Sequence, residues 1–522
     1  MEAQELRVAQ EFASAAESFG RLVTKLGSSE AATMTHSQVE SLLNVEGTEL
    51  LRQLFQGYLD SLGTGTCAKP VRGADGVERT HERLAGHNLM SLFGPVRLER
   101  MGYGLQEMAP LYPLDAQLNM PPRLYSLGLE RRAAQEVAKN SFGESTAAID
   151  STTGAHVPKR QAEEIAIRAA ADFDAFYLRS ERAAHLAAAQ SGSLVVVTAD
   201  GKGVVMRRED LRQATKAAAE KREHKLTTRL SKGEKRDAKR MAEVAAVYTI
   251  APHYRAAEEI IGKLRPVRSA TSAKRPRPEH KRVWASLAKD ADVVIDEAFL
   301  EALRRDPARD KTWVALVDGN ECQLKLVEEA LVRHLVKPTI VVDFIHALEY
   351  LWKAARELLG EGANGEDWVL ERALRLLHGE ASLVAAGIRR SATKRGFARA
   401  QRKAMDKCAD YLLKNAKYMR YDEYLARGFP IATGVIEGAC RHLVKDRMDL
   451  TGARWGLAQA EAVLQLRALH ASGDFDAYWA FHEKQEHLRN HAARYFKSRP
   501  PALAMPARRS TRARTSLRLV KS

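Results

Sequence analysis

The alternation of apolar and polar positions changes character several times along this chain. Up to about residue 62, apolar residues such as Leu42, Leu43, Leu50, Leu51 and Leu54 recur at helical spacing, which predicts a helical region. A polar, Gly-containing break follows over 63–75. Short alternating runs with Gly-Pro punctuation, "SLFGPVRLERMGYG" among them, predict a small β element within 80–115. The stretch "STAAIDSTTGAHVPKRQAEEIAIRAA" reads as a short helix, a Gly-containing turn and a longer helix. That order suits a DNA-reading helix-turn-helix, and equally two packed core helices.

From Ser193 the runs become β-branched. "LVVVTAD", "GVVM" and "VAAVYTIA" predict three strands, and the Gly-Lys-Gly at 201–203 predicts a tight, hairpin-like turn between the first two. The stretch 207–240 holds 13 Lys or Arg against 6 Asp or Glu and predicts a charged helical excursion. Residues 263–282, rich in Pro, Lys and Arg, predict a basic loop. "TWVALVD" and "PTIVVD" predict further strands ending at Asp318 and Asp343, with a helix over 321–336 between them. Strand, helix, strand is the sign of parallel pairing. Beyond Phe344 the pattern is helical until the acid-free, basic stretch 497–522, which predicts a disordered tail that touches DNA nonspecifically.

Composition narrows the class. A chain of 522 residues with 45% hydrophobic and 28% charged residues is ordinary for a globular protein of several domains. The net charge of +16 suits a polyanionic partner. No apolar run reaches the roughly 18–20 residues of a membrane span, and "MEAQELRVAQEF" lacks signal-peptide character, so nucleic acid is the expected partner and no membrane role is expected. Cys67, Cys322, Cys408 and Cys440 form no C-x-x-C pair, which predicts reduced thiols in a cytoplasmic setting and no zinc ribbon.

The candidate chemistry lies in the acids. Gly-Lys-Gly is too short for a phosphate-cradling loop and leads into a strand rather than a helix. Instead, "VVVTADG" and "WVALVDG" share one form, and two such strands side by side bring Asp200 and Asp318 to one sheet edge. Paired carboxylates suit a hard divalent ion, although Asp-Gly after a strand is also a common turn. In "TGVIEGACRHLVKDRMDLTGARWG", Val435, Ile436, Ala439, Cys440, Leu443 and Val444 form an apolar stripe, with Glu437, Arg441 and Lys445 opposite it. This is either an exposed helix with local ion pairs or a helix whose Glu437 completes a three-carboxylate site. Asp343 and His346, three apart, suit either a metal-binding pair or a helix cap beside a core histidine.

Together, "TADGKGV", "WVALVDGNECQL", "VVDFIHALEYLWKAA" and "GVIEGACRHLVKDRMDLTGARW" resemble the ISKra-type bacterial insertion-sequence transposases. These belong to the DDE group, with Mutator-like and ISL-type relatives, and the resemblance runs over roughly residues 90–485. It implies an α/β fold: an RNase H-like catalytic core over 191–346 and 433–490, a large helical insertion over 347–432, and a mainly helical DNA-binding region before them (1–75 and 76–190). The remainder, 491–522, is the basic tail. It further implies Asp200, Asp318 and Glu437 as catalytic, metal-holding acids, with Mg2+ or Mn2+ as cofactor, and Asp343 and His346 as an accessory Asp-x-x-His motif. Asp343 also ends a strand and competes for the role of second acid; the order of motifs favours Asp318. Lys202, Arg441, Lys445 and Arg454 are the candidate DNA contacts, with Trp455 either stacking on a base or packing. The implied activity is cleavage and strand transfer at element ends by a homodimer or larger assembly on DNA, in the bacterial nucleoid. A nuclease without strand transfer, or an inactive DNA-binding regulator, remains open.

Overall fold

The computed structural model describes residues 4–8, 10–179, 191–220, 238–264, 275–450, 452–504 and 515–519. Most of the charged excursion, the centre of the basic loop and much of the C-terminal tail lie outside the described residues. The chain is a mixed α/β protein that divides into two compact units, Met1–Phe176 with Phe475–Ser522, and Tyr177–Asp474.

In the first unit the N-terminal helical pattern becomes helices Ala13–Leu26 and His36–Ser61. The expected small β element is an antiparallel sheet of β2 (His81–Ser91), β3 (Gly94–Leu105) and β4 (Met108–Leu111), preceded by β1 (Gln4–Val8). Alternate residues of β3 are buried, with Val96 and Leu98 packed on Leu59. The two helices expected around residue 154 are present as Phe142–Thr152 and Lys159–Ala169, with Ile149 and Ile165 fully buried. Part of the tail is ordered. Residues Thr515–Leu519 form β10, which pairs antiparallel with β1, so backbone pairing overrides the disorder that composition predicts there. Helix Phe475–Asn490 also belongs to this unit.

The second unit is built on a five-stranded sheet in the order β7-β6-β5-β8-β9. These are β5 (Leu194–Val205), β6 (Lys239–Ile250), β7 (Glu279–Ser286), β8 (Thr312–Val317) and β9 (Thr339–Val342). Strand β6 runs antiparallel to both β5 and β7, while β8 and β9 are parallel to β5. Helices Ala291–Arg305 and Glu321–His334 make the crossovers that parallel pairing requires. The centre of the sheet is the apolar run Val195–Val197 with Val314–Val317, all buried. Each such side chain contributes about 1.5–3 kcal/mol through burial. After β9 come helices Phe344–Leu359, Ala363–Leu377, Ala381–Lys394 and Lys403–Asn415. Among the described residues, no helix is long and apolar enough to cross a membrane.

Two local expectations are corrected. Gly201 and Gly203 form no turn: β5 continues through them, paired residue by residue with β6 from Leu194↔Ile250 to Val205↔Lys239. A Cβ on either would sit 2.9 Å from the flexible Met241 or Lys239 side chain, which would have to shift to admit it. The end of the basic loop, "EHKR", is the first half of strand β7, whose second half, Val283 to Ser286, is buried.

Leu316 is wholly buried in β8. Leu316→Ala is expected to cost about 2–5 kcal/mol in equilibrium urea unfolding. Val332→Ala, at a position 76% exposed, is expected to stay within roughly 0.5 kcal/mol.

Candidate active site

The parallel ladder between β5 and β8 ends at Thr198↔Leu316, and Asp200 and Asp318 follow at that same sheet edge. Past the ladder, one side chain spans the two backbones. Gln323 Nε2 donates to Ala199 O at 2.6 Å, and its Oε1 accepts from Asp318 N at 3.4 Å. Asn320 starts the helix Glu321–His334 by accepting from Cys322 N and Gln323 N, while its own N–H donates to Asp318 Oδ1 at 2.7 Å. Gly319 turns the chain at φ +81°, and Tyr411 Oη donates to Asp318 O at 2.8 Å. A Cβ on Gly319 would lie 2.9 Å from that hydroxyl, so both its φ and its surroundings demand glycine.

Asp343 leaves β9 directly into helix Phe344–Leu359 and caps it, accepting from Ile345 N at 2.7 Å. It is fully buried, and its second oxygen accepts from Thr433 Oγ1. Its own N–H donates to Val317 O at 2.8 Å, tying β9 to the end of β8. His346 Nδ1 lies 3.5 Å from Asp343 Oδ2, an ion-pair distance, and that nitrogen is buried without a hydrogen bond. The cap reading and the accessory-pair reading of this motif thus coexist in one geometry.

Glu437 lies on helix Gly434–Ala439, which continues as a π-helical turn over Cys440–Lys445. Turns of this kind cluster at functional sites. Ile436, Ala439, Cys440, Leu443 and Val444 are buried, while Glu437, Arg441 and Lys445 are exposed, as the stripe predicts. Cys440 Sγ–H donates to Asp200 Oδ2 at 3.2 Å, and Gly201 N donates to Oδ1 at 2.7 Å. The ligand atoms of Asp343, His346 and Glu437 all fall within 4.8 Å of one another. In this arrangement Glu437 faces the Asp343–His346 side of the cluster, while Cys440, one turn on, reaches Asp200.

The electrostatics tie these groups together. Burial pushes the Asp318 carboxyl up, with Asp200 and Asp343 adding to the rise and the Asn320 N–H and His346 opposing it. Burial and then Asp343 push Glu437 up, and His346 again opposes. Burial, then Asp200, also pushes the Glu243 carboxyl and the Cys440 thiol up, although the Arg212 guanidinium opposes the rise at Glu243. Among the described residues, no Lys or Arg lies within ion-pair distance of Asp200, Asp318, Asp343 or Glu437. Crowded carboxylates with no Lys or Arg in ion-pair range, and His346 paired to Asp343 at 3.5 Å among them, fit a divalent cation that would take the place of the His346 proton. The residues available to hold it are Asp200, Asp318, Glu437, Asp343 and His346.

Of the expected DNA contacts, Lys202 is half-buried on β5, and Arg454 is exposed together with Arg441 and Lys445. Trp455 is corrected: it packs. It is 6% exposed, its indole Nε1 donates to Met448 O at 3.1 Å, and its backbone pairs with Val205 and Arg207. Sequence reading misses Gln323, Tyr411, Thr433, Cys440 and Glu243 as parts of the site. Only Glu243 carries a local signal, as a polar residue in an otherwise apolar strand.

Asp343 holds His346 up at about 9, against 6.5 for an ordinary imidazole. A folded value above the unfolded one stabilises the fold fully below pH 6.5, and that contribution is lost as pH rises through about 9. The stability difference between wild type and His346→Asn is therefore expected to be largest below pH 6.5 and to shrink toward pH 9 in urea midpoints taken across that window; a pH-independent difference contradicts the assignment. In comparison with known proteins, no family model matches the chain and no curated protein matches it either, so the functional reading rests on this geometry.

Proposed function

We propose that the protein is a DDE-type transposase, cutting and rejoining DNA at the ends of its own element. The observation that carries this reading is the placing of Asp200 and Asp318 at one end of the β5–β8 ladder, with Asp343 near Asp318 and grouped with His346 and Glu437 within 4.8 Å. That strand order, with three antiparallel strands followed by two parallel ones, is the arrangement expected of an RNase H-like core. The helices from Ala363 to Ala426 would then be the insertion before the last acid.

Magnesium, or manganese in its place, held by Asp200, Asp318 and Glu437, would supply an activated hydroxyl and neutralise the leaving 3′ oxygen. The chain's own groups do the rest. Gln323 and Tyr411 hold the Asp318 turn against β5, and Cys440 and Gly201 fix the Asp200 carboxylate. Arg441, Lys445 and Arg454, exposed beside the cluster's helix, suit the phosphates of a bound strand. The 3′ hydroxyl freed by hydrolysis then takes the place of water and attacks a target phosphodiester in line, its proton passing to solvent as the target strand's own 3′ oxygen leaves. No covalent intermediate with the protein is required, and the raised Cys440 thiol is a poor nucleophile.

Asp318 rather than Asp343 is assigned as the second acid because Asp343 is buried with both oxygens engaged by Ile345 N and Thr433 Oγ1. Joining two element ends calls for at least two copies on DNA.

The test is incubation with magnesium, a labelled element end and target plasmid. Joined products are expected. Cleavage alone would indicate a nuclease, and binding alone a regulator. Asp200→Asn, Asp318→Asn and Glu437→Gln are each expected to lower cleavage roughly a thousandfold, the equivalent of several kcal/mol of charge stabilisation. Asp318→Asn should leave stability near wild type, whereas Asp343→Asn should lower it by about 1–3 kcal/mol through the lost partners of a buried group. Intact cleavage by Asp200→Asn or Glu437→Gln would sink the acid assignment.

A further inference from the structure

The first unit contains a cavity of about 190 Å3 whose walls include Arg100, Tyr112, Asp115, His491, Arg494 and Tyr495. Strand β3 supplies Arg100, the short helix Pro113–Leu118 supplies Asp115 with Tyr112 at its N-cap, and the segment after helix Phe475–Asn490 supplies the rest. Three of these side chains are more than nine-tenths buried as residues and yet incompletely bonded. Arg100 is 8% exposed, Asp115 6% and His491 6%. Arg100 Nε and Nη1, Asp115 Oδ1 and His491 Nε2 have no hydrogen-bond partner. Arg100 and Asp115 form an ion pair at 3.1 Å, which leaves one donor and one acceptor side by side. Buried polar atoms in this state are costly and are usually satisfied by something.

The polarity of the site can be read atom by atom. Burial, with His487 and Arg494 nearby, holds the His491 imidazole down at about 4, so it is neutral near pH 7. The Met120 backbone opposes that fall, and Nε2, without a partner, can donate or accept as the tautomer allows. Burial pushes the Asp115 carboxyl up to about 7 against Arg100 and Arg494, so above that pH the cavity offers guanidinium donors from Arg100, an acceptor at Asp115 Oδ1 and a ring nitrogen at His491 Nε2. Aromatic wall is supplied by Tyr112, whose ring lies 4.2 Å from the Arg100 guanidinium carbon, and by the buried Tyr495. Gly102 makes room for the Tyr112 ring, since a Cβ there would sit 2.6 Å from its Cε1.

We propose that this cavity binds a guanine base through its Watson–Crick edge. Guanine presents one acceptor, O6, beside two donors, N1–H and the N2 amino group, which complements Arg100 on one side and Asp115 with His491 on the other. Adenine presents the opposite order at that edge. The volume is below the roughly 300–1,000 Å3 of drug-sized pockets, and so suits one ring system with sugar and phosphate left outside. Pockets that take an unstacked base read it in this way, by edge hydrogen bonds and aromatic walls. The same chemistry serves a free guanine nucleotide and a guanine displaced from a strand.

The experiment uses the full chain, with GMP, IMP and AMP in one arm and an eight-nucleotide single strand holding a single guanine, or adenine in its place, in the other, read by calorimetry. GMP or the guanine strand is expected to bind, and the arm that binds identifies the source. IMP, which lacks the N2 amino group, is expected to bind about tenfold more weakly, the cost of one hydrogen bond to a charged group. Asp115→Asn and Tyr112→Leu are each expected to weaken binding by about tenfold or more, for the same reason and through the lost stacking. The nucleotide comparison uses wild-type protein and so stands even where a variant fails to fold. Equal binding of guanine and adenine probes, binding of neither, or unchanged binding by a folded Asp115→Asn would overturn the proposal and leave the cavity to water.

Discussion

Everything at the candidate active site depends on the parallel pairing of β5 with β8. That ladder places two Asp-Gly segments side by side, one within β5 and one just past the end of β8, and stops two residues short of both acids. Beyond it β5 stays paired with β6 but no longer with β8, and Gln323, Asn320 and Tyr411 take over the β8 side. A sheet edge that ended with free strand ends would let the carboxylates separate under their mutual repulsion. The side-chain clamps keep them close, so that the Asp200 and Asp343 charges add to the rise that burial imposes on Asp318 and make the edge attractive to a cation.

The cluster also shows how one acid can be made structural among others. Asp343 and Asp318 both follow strands, yet their surroundings separate them. Asp343 is enclosed, caps a helix and accepts from Thr433, so its charge is spread over fixed donors. Asp318 and Glu437 retain solvent contact and free lone pairs. Asp343 also sets the charge of His346, which in turn tempers both of its acidic neighbours.

Much of this was legible in the sequence, and the failures have physical reasons. β-branched runs announce β5, β6, β8 and β9 because strands buried on both faces are nearly continuous in apolar residues. The stripe on the Glu437 helix is equally plain. Gly201 and Gly203 mislead because the same residue serves for turning and for closeness; only the partner strand, with Met241 and Lys239 against it, distinguishes the two uses. β7 hides because its first half, "EHKR", is charged and merges with the basic stretch before it. Gln323, Thr433, Cys440 and Tyr411 act across spans of dozens to hundreds of residues, and no local pattern encodes a contact of that range. Trp455 shows the reverse error, since an aromatic in a basic, Gly-flanked segment looks available but fills the space over Arg447.

The return of the chain to the first unit at Phe475 bears on how the protein is made. Tyr177 and Asp474, the two ends of the second unit, are hydrogen-bonded at 2.8 Å, so that unit closes on itself without help from the C-terminal segment. The first unit has no such independence. Arg123, which is paired with Glu130, also meets Glu486, and Asp172 meets His482 and Arg489, partners contributed only by the last segment. During synthesis these buried charges wait for the whole intervening unit, a lag on the order of tens of seconds at ribosomal rates. The unit that carries the acid cluster can therefore be folded while the unit that begins the chain is still incomplete.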